Sequence, residues 1–211
     1  MGDSMRRFAA GIVVTLLLLA FVAQFALPAY VADRTEHRLE EGGGRADVKL
    51  KAFPALRLLA RGGDSIEVDA ENLQFDIQDD PGDPFDDLDG FDRVRVNFTD
   101  SEADPLQVER FELTREGADG VYELTVSGTS TPEGLAQALG EEAGGAIGGF
   151  IGQLGADALG GGAGAGVPLE LTATIRSDAG PAEILESNGS VAGIPAGPLT
   201  EFVVGAVLER F

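Results

Sequence analysis

The stretch VKLKAFPALRLLARGGDSIEVDA, residues Val48–Ala70, decides the fold class because it holds two alternating segments joined by a turn. In the first segment Val48 and Leu50 alternate with two lysines, which is typical of a strand with one buried face. The second segment, Ile66–Ala70, repeats this period after a glycine pair. The sequence therefore predicts two neighbouring strands with a short apolar turn between them.

Alternation continues along the chain, with phase slips between Ala70 and Leu73 and between Val108 and Phe111. A slip moves side chains to the other face of a sheet unless a bulge or bend absorbs it, which favours a curved sheet. No long helix separates the early strands, so we expect them to pair as an antiparallel meander, and Asn188-Gly189 predicts a hairpin turn. The further alternating runs are Leu73-Phe75-Ile77, Val94-Val96-Phe98, Tyr122-Leu124-Val126 and Leu169-Leu171-Ala173-Ile175.

From Pro132 to Leu159 apolar residues recur every three and four positions, which predicts a long amphipathic helix. Its interior is rich in glycine, and each glycine costs up to about 1 kcal/mol relative to alanine. We expect this helix either to pack closely on its neighbours or to form a soft wall of an apolar groove. The groove side chains of that wall are Ile147, Phe150, Ile151 and Leu154.

The first 44 residues predict a membrane attachment. Residues 1–7 form a basic cytoplasmic flank, residues 8–27 form a transmembrane anchor or signal, and residues 28–44 form an exit helix with a glycine linker. Cleavage after Ala29 or Ala32 would place Leu27 or Tyr30 at the −3 position, so a retained anchor is favoured over a cleaved signal. Residues 45–211 then form an extracytoplasmic domain.

The composition excludes several classes of function. With 15 basic and 36 acidic residues the formal charge is −21, which argues against nucleic acid as a partner. The chain has no cysteine and one histidine, so a catalytic set, a metal site and a cofactor are not expected. The acidic cluster between Asp76 and Asp89 fails the EF-hand pattern because Phe85 and Val96 occupy ligand positions. A solvated acidic loop is favoured over weak calcium binding.

A group of positive charges stands out in this acidic chain. Between residues 45 and 61 the only acid is Asp47, and the basic residues include Lys49, Lys51, Arg57 and Arg61. Lysine and arginine both suit phosphate, so these four residues are candidates for contact with an anionic lipid headgroup. A solvated strand face is the alternative. If the apolar side chains of the first strand face the groove, the lysines point away and the two arginines remain.

The same region carries a resemblance to a known family. The segment QFALPAYVADRTEHRLEE is followed by a strand ending in Phe53-Pro54, by a short apolar turn through Leu56, Leu58 and Leu59, and by the turn Gly62-Gly63-Asp64-Ser65. Over roughly residues 20–130 the chain resembles the LmeA-like phospholipid-binding family of actinobacterial cell-envelope proteins. The resemblance implies an exported lipid-binding protein with a fold similar to tubular lipid-binding domains.

Together these observations predict an α+β fold, a curved antiparallel sheet wrapped along a long amphipathic helix and preceded by one transmembrane helix. The expected function is non-enzymatic binding of a phospholipid or related envelope lipid, outside the cytoplasm at the cytoplasmic membrane. Phe53, Leu56 and Leu59 join the helix residues in lining the groove. A structural or interaction module with a self-filled groove is the alternative, and a lipid-acting enzyme comes third.

Overall fold

The computed structural model describes residues 2–41, 43–76, 84–104, 106–117, 119–131, 166–177, 182–192 and 194–195, with residues 2–20 described by their helical backbone. The predicted helix Pro132–Leu159 lies outside these residues, and so do its groove side chains Ile147, Phe150, Ile151 and Leu154. In chain order the elements are α1 (Gly2–Glu40), β1 (Arg45–Lys51), a 3-10 helix (Ala55–Ala60), β2 (Ser65–Glu71), β3 (Gln74–Asp76), α2 (Pro84–Leu88), β4 (Val94–Asp104), β5 (Leu106–Arg115), β6 (Val121–Ser130), β7 (Val167–Arg176), β8 (Glu183–Val191) and β9 (Ile194–Pro195).

The first element, α1, joins the predicted anchor and exit helix in one continuous helix that contains Pro28. It ends at Glu40, just before the glycine linker, as the sequence predicts. Leu27, Val31 and Leu39 of α1 pack against the buried core. The exit helix therefore packs as part of the folded unit, which the sequence predicts to begin at residue 45.

Among the residues that the structure describes, no helix is long and apolar enough to cross a membrane. Side chains 8–20 of the predicted anchor lie outside the described part of the chain, and the anchor stays a prediction.

The strands form one nine-stranded sheet in the order β1-β2-β4-β5-β6-β7-β8-β9, with β3 paired to β4. Strands β4, β5 and β6 follow one another along the chain and pair antiparallel, so the meander predicted for the early strands is confirmed there. The neighbours from β6 to β9 are antiparallel as well. The first two strands are antiparallel as well, with Val48 opposite Val68. Together with α1 this gives the α+β class that the sequence predicts.

The expectation of an all-antiparallel order is wrong at the start of the sheet. Strand β4 pairs in parallel with both β2 and β3, with Val68 opposite Val96 and Phe75 opposite Ala103. Residues 77–93 connect β3 to β4 and contain the short helix α2. A connection of a dozen or more residues can carry the chain back to the starting end, and parallel pairing needs such a crossover.

Both phase slips in the sequence correspond to irregular backbone. The β5–β6 register shifts between Val108 and Arg110, leaving Glu109 as the extra residue of a bulge. Between β2 and β3 the chain bends at Asn72, whose φ is 54°, and Leu73 is then buried. A bulge bends its strand and increases the local twist, so these positions account for the curvature of the sheet.

The core lies on the inner face of the sheet, the face toward α1, the 3-10 helix and α2. Val96, Leu113 and Leu124 lie opposite one another on three neighbouring strands and are buried. Leu58 and Phe85 pack on this face from the helical side. Burying aliphatic and aromatic surface at about 25 cal/mol per Å² stabilises the sheet against the helices.

Helix α1 also covers the edge strand β1. Glu36 accepts a hydrogen bond from the backbone N–H of Val48 at 2.8 Å, and Glu40 accepts one from Ala46 at 3.1 Å. An exposed edge strand presents unpaired backbone groups that can pair with other chains. The two glutamates, one helical turn apart, satisfy that edge and fix α1 alongside β1.

Candidate lipid and membrane contact surfaces

The turn between β1 and β2 forms an exposed apolar tip, residues Phe53–Arg61. The side chains of Phe53, Leu56 and Leu59 are 76%, 59% and 69% exposed, whereas Ala55 and Leu58 are buried. A 3-10 helix has three residues per turn, so positions three apart lie on one face. Ala55 and Leu58 therefore lie on the face toward the core, and Leu56 and Leu59 lie on the outward face. The three residues predicted from the sequence to contact lipid therefore lie together on one surface.

Gln24 of α1 holds the tip in place. Its side-chain amide donates a hydrogen bond to the carbonyl oxygen of Ala52 at 2.7 Å, and its amide oxygen accepts one from the N–H of Ala55 at 2.9 Å. These bonds span the cis peptide between Phe53 and Pro54. Gln24 is one of two polar residues within the apolar run 8–27, and the contact gives a structural reason for its polarity.

The contacts along α1 show how the helix runs relative to β1 and the tip. Glu40 and Glu36 bond to the start and middle of β1, and Gln24 bonds beyond its end. Helix and strand therefore run antiparallel side by side. The tip lies where β1 ends, and α1 continues past it toward residue 2.

The base of the tip is a close contact between two glycine-containing segments. The N–H of Gly63 donates to the carbonyl oxygen of Gly90 at 3.0 Å, and the N–H of Asp92 donates to Gly63 at 3.1 Å. A side chain at Gly90 would overlap the carbonyl oxygen of Arg61. Glycine is required here because the two backbones touch.

Next to this contact, Asp89 is the acceptor of a buried polar network. Its carboxylate accepts hydrogen bonds from the Tyr122 hydroxyl and the Ser177 hydroxyl, each at 2.7 Å. Arg115 donates to the Tyr122 oxygen at 2.9 Å and to the backbone oxygen of Asp89 at 3.1 Å. The side chains of Arg115 and Asp89 are only 3% and 10% exposed. The network ties the ends of β5, β6 and β7 to the loop that supports the tip.

Burial and the hydrogen bond to Asp89 raise the pKa of the Tyr122 phenol well above its usual range. Tyr122 is fully buried, and Phe85 packs edge-on against its ring with 4.9 Å between centroids. The phenol therefore stays protonated and serves as a donor within the core. Its position and partners indicate a structural role.

The four predicted headgroup residues occupy different settings. Lys49 and Lys51 are exposed on the side of β1 opposite buried Val48, so they point away from the inner face. Arg57 and Arg61 lie on the tip itself. The structure thus brings the two arginines next to the predicted lipid-contacting side chains and leaves the lysines on the outer face.

Three of these four cations already contact carboxylates. The hydrogen bond and charge of Asp47, 2.5 Å away, raise the pKa of the Lys49 ammonium. Arg57 pairs with Asp64 at 2.8 Å and with Asp92 at 3.5 Å. The third ion pair, Arg61 with Asp87 at 3.0 Å, is largely exposed to solvent. An exposed pair is worth little, so Arg61 is the one of the two tip arginines that a phosphate could recruit at the lower cost.

The inner face of the sheet carries a second candidate surface, which we call the apolar band. It consists of Phe98, Phe111, Val126 and Leu171, which lie opposite one another across β4, β5, β6 and β7 and are half-buried. The two phenylalanine rings stack with centroids 5.2 Å apart. At about 4.8 Å between strands the band is about 14 Å long. Gly189 of β8, opposite Leu171, ends it without a side chain.

A shallow depression of about 190 Å³ lies on the other face of β6, β7 and β8. Its polar lining suits water or a polar group better than an acyl chain. The lining residues are Glu123, Leu124, Thr125, Thr172, Ala173, Thr174, Glu186 and Asn188. Within the described part of the chain, no cluster of three or more histidine, cysteine or acidic residues could hold a metal ion.

Sequence reasoning identifies the tip but misses the buried network and the apolar band. Asp89 reads as one member of a solvated acidic cluster, and the sequence gives no sign that it is paired with Arg115. The band residues follow the strand period like any core residue, so their shared row becomes visible only with the register. No family model, no curated protein and no solved structure compared with the chain matches it.

Proposed function

We propose that this protein is a membrane-anchored extracytoplasmic protein that binds a phospholipid or related envelope lipid and catalyses no reaction. The apolar band carries the proposal. It is a continuous row of half-buried aromatic and aliphatic side chains across four strands. These side chains pack beside the buried core on the inner face of the sheet. The resemblance to LmeA-like phospholipid-binding proteins points to the same ligand class.

The physical basis is the burial of acyl chains. Each methylene transferred from water to an apolar surface contributes about 0.8 kcal/mol, so a partly buried chain gains several kcal/mol. Lipid sites need few polar contacts beyond those that fix the headgroup. Arg61 and Arg57 on the tip are the candidates for that contact, with Lys49 and Lys51 on the outer face as the less favoured pair.

The test is native mass spectrometry of the full chain released from detergent, followed by organic extraction of any bound molecule. We expect a lipid-sized adduct on the wild-type protein. Leu171→Asn places an amide in the apolar band and should remove most of the adduct. Thr172→Asn introduces the same residue at the next position of the strand, on the exposed face, and should keep the adduct.

The outcomes separate the proposal from its rivals. A wild-type chain without lipid, with a thermal midpoint lowered in Leu171→Asn and unchanged in Thr172→Asn, would support a structural module whose groove is filled by its own side chains. Conversion of added phospholipid to a lysophospholipid or a free fatty acid would support an enzyme. Equal loss of the lipid adduct in both variants would contradict the assignment of the apolar band as the lipid-binding surface.

A further inference from the structure

The outward face of α1 changes character along its length. Phe21, Val22 and Phe25 are exposed, and after Tyr30 the exposed positions are Asp33, Arg34, His37 and Arg38. Exposed phenylalanine on one side of a tyrosine and exposed charge on the other is the pattern of a membrane–water boundary, where amphipathic aromatic rings concentrate. The change of character places such a boundary near Tyr30.

The tip lies on the apolar side of that boundary. Gln24 bonds directly to the backbone on both sides of Phe53. It precedes Tyr30 by six residues, which corresponds to about 9 Å along a helix axis. Phe53, Leu56 and Leu59 therefore project at the level of the exposed α1 phenylalanines. Apolar side chains are thus exposed both on the outward face of α1 and on the separate tip.

This arrangement fits a lipid bilayer as the occupant. The inward face of α1 between residues 23 and 40 is half-buried against the domain, whereas the phenylalanines of its outward face are exposed, and so are the apolar side chains of the tip. A bilayer surrounds an embedded object at one depth and covers both. Continuity with the apolar run 8–27, about 30 Å long as a helix, supports the same occupant.

Charge at the tip is compatible with an anionic surface. Residues 48–63 contain no acid, although the whole chain carries −21. Arg57 and Arg61 lie on the tip, and Lys51 directly precedes it. Both arginines are paired with carboxylates, and the exposed pair of Arg61 with Asp87 is the one that an anionic headgroup could replace. Interfacial segments bind by burying apolar area and by attraction of basic residues to anionic lipids. The remaining acid-rich surface would be repelled from the same membrane, which favours an orientation with the tip down.

We propose that the tip, Phe53–Arg61, inserts into the outer leaflet beside the anchor and holds the sheet upright on the membrane. This inference rests on the membrane attachment in the proposed function and not on lipid binding in the apolar band. It assigns the exposed phenylalanine and leucines to bilayer contact.

Tryptophan fluorescence tests the insertion because the full chain contains no tryptophan. Leu56→Trp on the tip is compared with Leu185→Trp, another exposed leucine but on β8. Each full chain is reconstituted into phosphatidylglycerol vesicles with brominated acyl chains, which quench indole on contact. Phe21→Trp on the outward face of α1 reports the bilayer at the same level.

We expect Leu56→Trp and Phe21→Trp to shift to the blue and lose most of their emission, while Leu185→Trp keeps its intensity. Bromine placed near the headgroup should quench Leu56→Trp more than bromine near the chain end. An unquenched Leu56→Trp in protein that floats with the vesicles would overturn the insertion. Protein that fails to float would overturn it too, because no membrane attachment would exist.

The result is independent of the lipid adduct seen by mass spectrometry. A quenched tip without an adduct would leave the insertion standing and remove lipid binding in the band. An adduct with an unquenched tip would do the reverse. Leu56→Gln changes a side chain that is already 59% exposed, so the thermal midpoint should stay unchanged. An unchanged midpoint would show that the tip side chain is not needed for folding.

Discussion

Replacement of Asp89 by asparagine tests the energetic importance of the buried network beneath the tip. Asparagine keeps the volume and one acceptor oxygen but removes the negative charge beside Arg115, whose side chain is 3% exposed. Removing one partner of a buried ion pair costs about 3–5 kcal/mol because the other charge stays buried. The retained amide favours the lower value, about 3 kcal/mol.

In a domain of this size about 1 kcal/mol shifts the thermal midpoint by roughly 2–4 °C, so Asp89→Asn should lower it by about 6–12 °C. Circular dichroism of the sheet measures the midpoint in the full chain. The matched control is Asp87→Asn, two residues earlier. Its carboxylate pairs with Arg61 on the surface, and such pairs contribute about 0–1 kcal/mol.

The same substitution should loosen the tip locally. Gly90 follows Asp89 and accepts the hydrogen bond from the Gly63 amide at the base of the tip. We expect hydrogen exchange at the Gly63 amide to speed up in Asp89→Asn and to stay unchanged in Asp87→Asn. Equal midpoints for the two variants, or unchanged exchange at Gly63, would refute the view that this network supports the tip.

Three further outcomes follow from individual contacts. Gly90→Ala forces a methyl group onto a backbone carbonyl oxygen and should cost about 1–3 kcal/mol in chemical denaturation. Gly117→Ala, where the new methyl carbon would lie 4.0 Å from a carboxylate oxygen of Asp119, should cost nothing or stabilise slightly. Glu36→Ala removes the acceptor for the Val48 amide and should speed exchange at that amide, with Glu36→Gln restoring protection. Tyr122 is neutral in the fold and its raised pKa exceeds the unfolded value of about 10, so its stabilising effect is complete below about pH 10. Stability should fall as the pH rises beyond that value, and Tyr122→Phe, measured by denaturation across this range, should not show the fall.

Much of the sheet is predictable because the strands follow a period of two. The slip between Val108 and Phe111 predicts a bulge, and the register shifts there. The parallel pairing of β2 with β4 is not predictable from that period, since side-chain alternation is the same for either direction. Asn188-Gly189 was expected to form a turn and lies inside β8 instead, where pairing with β7 overrides the local preference.

The tip is visible in the sequence because four large apolar residues, Phe53, Leu56, Leu58 and Leu59, cluster around Pro54. The sequence cannot show that Leu58 turns inward while Leu56 and Leu59 turn outward, since that depends on a 3-10 rather than an α-helical period. The role of Gln24 is equally hidden. A polar residue in an apolar run is conspicuous, yet its partners lie 28 and 31 residues away.

Burial of Asp89 also depends on tertiary structure. Seven aspartates lie between residues 76 and 89, and charged groups of this kind usually remain solvated. Asp89 differs from the others because it contacts Arg115 on β5, Tyr122 on β6 and Ser177 directly after β7. Sequence patterns treat these residues separately, so the network could not be derived from them.

Photo-cross-linking with a phospholipid that carries a diazirine in its acyl chain determines whether the apolar band holds a lipid. The full chain is irradiated in phosphatidylglycerol vesicles and the modified peptides are identified by mass spectrometry. We expect adducts on the apolar band, at Phe98, Phe111, Val126 or Leu171, with fewer adducts in Leu171→Asn than in Thr172→Asn. Adducts confined to α1 and the tip would contradict it, because the protein would then touch the bilayer without holding a lipid on its sheet.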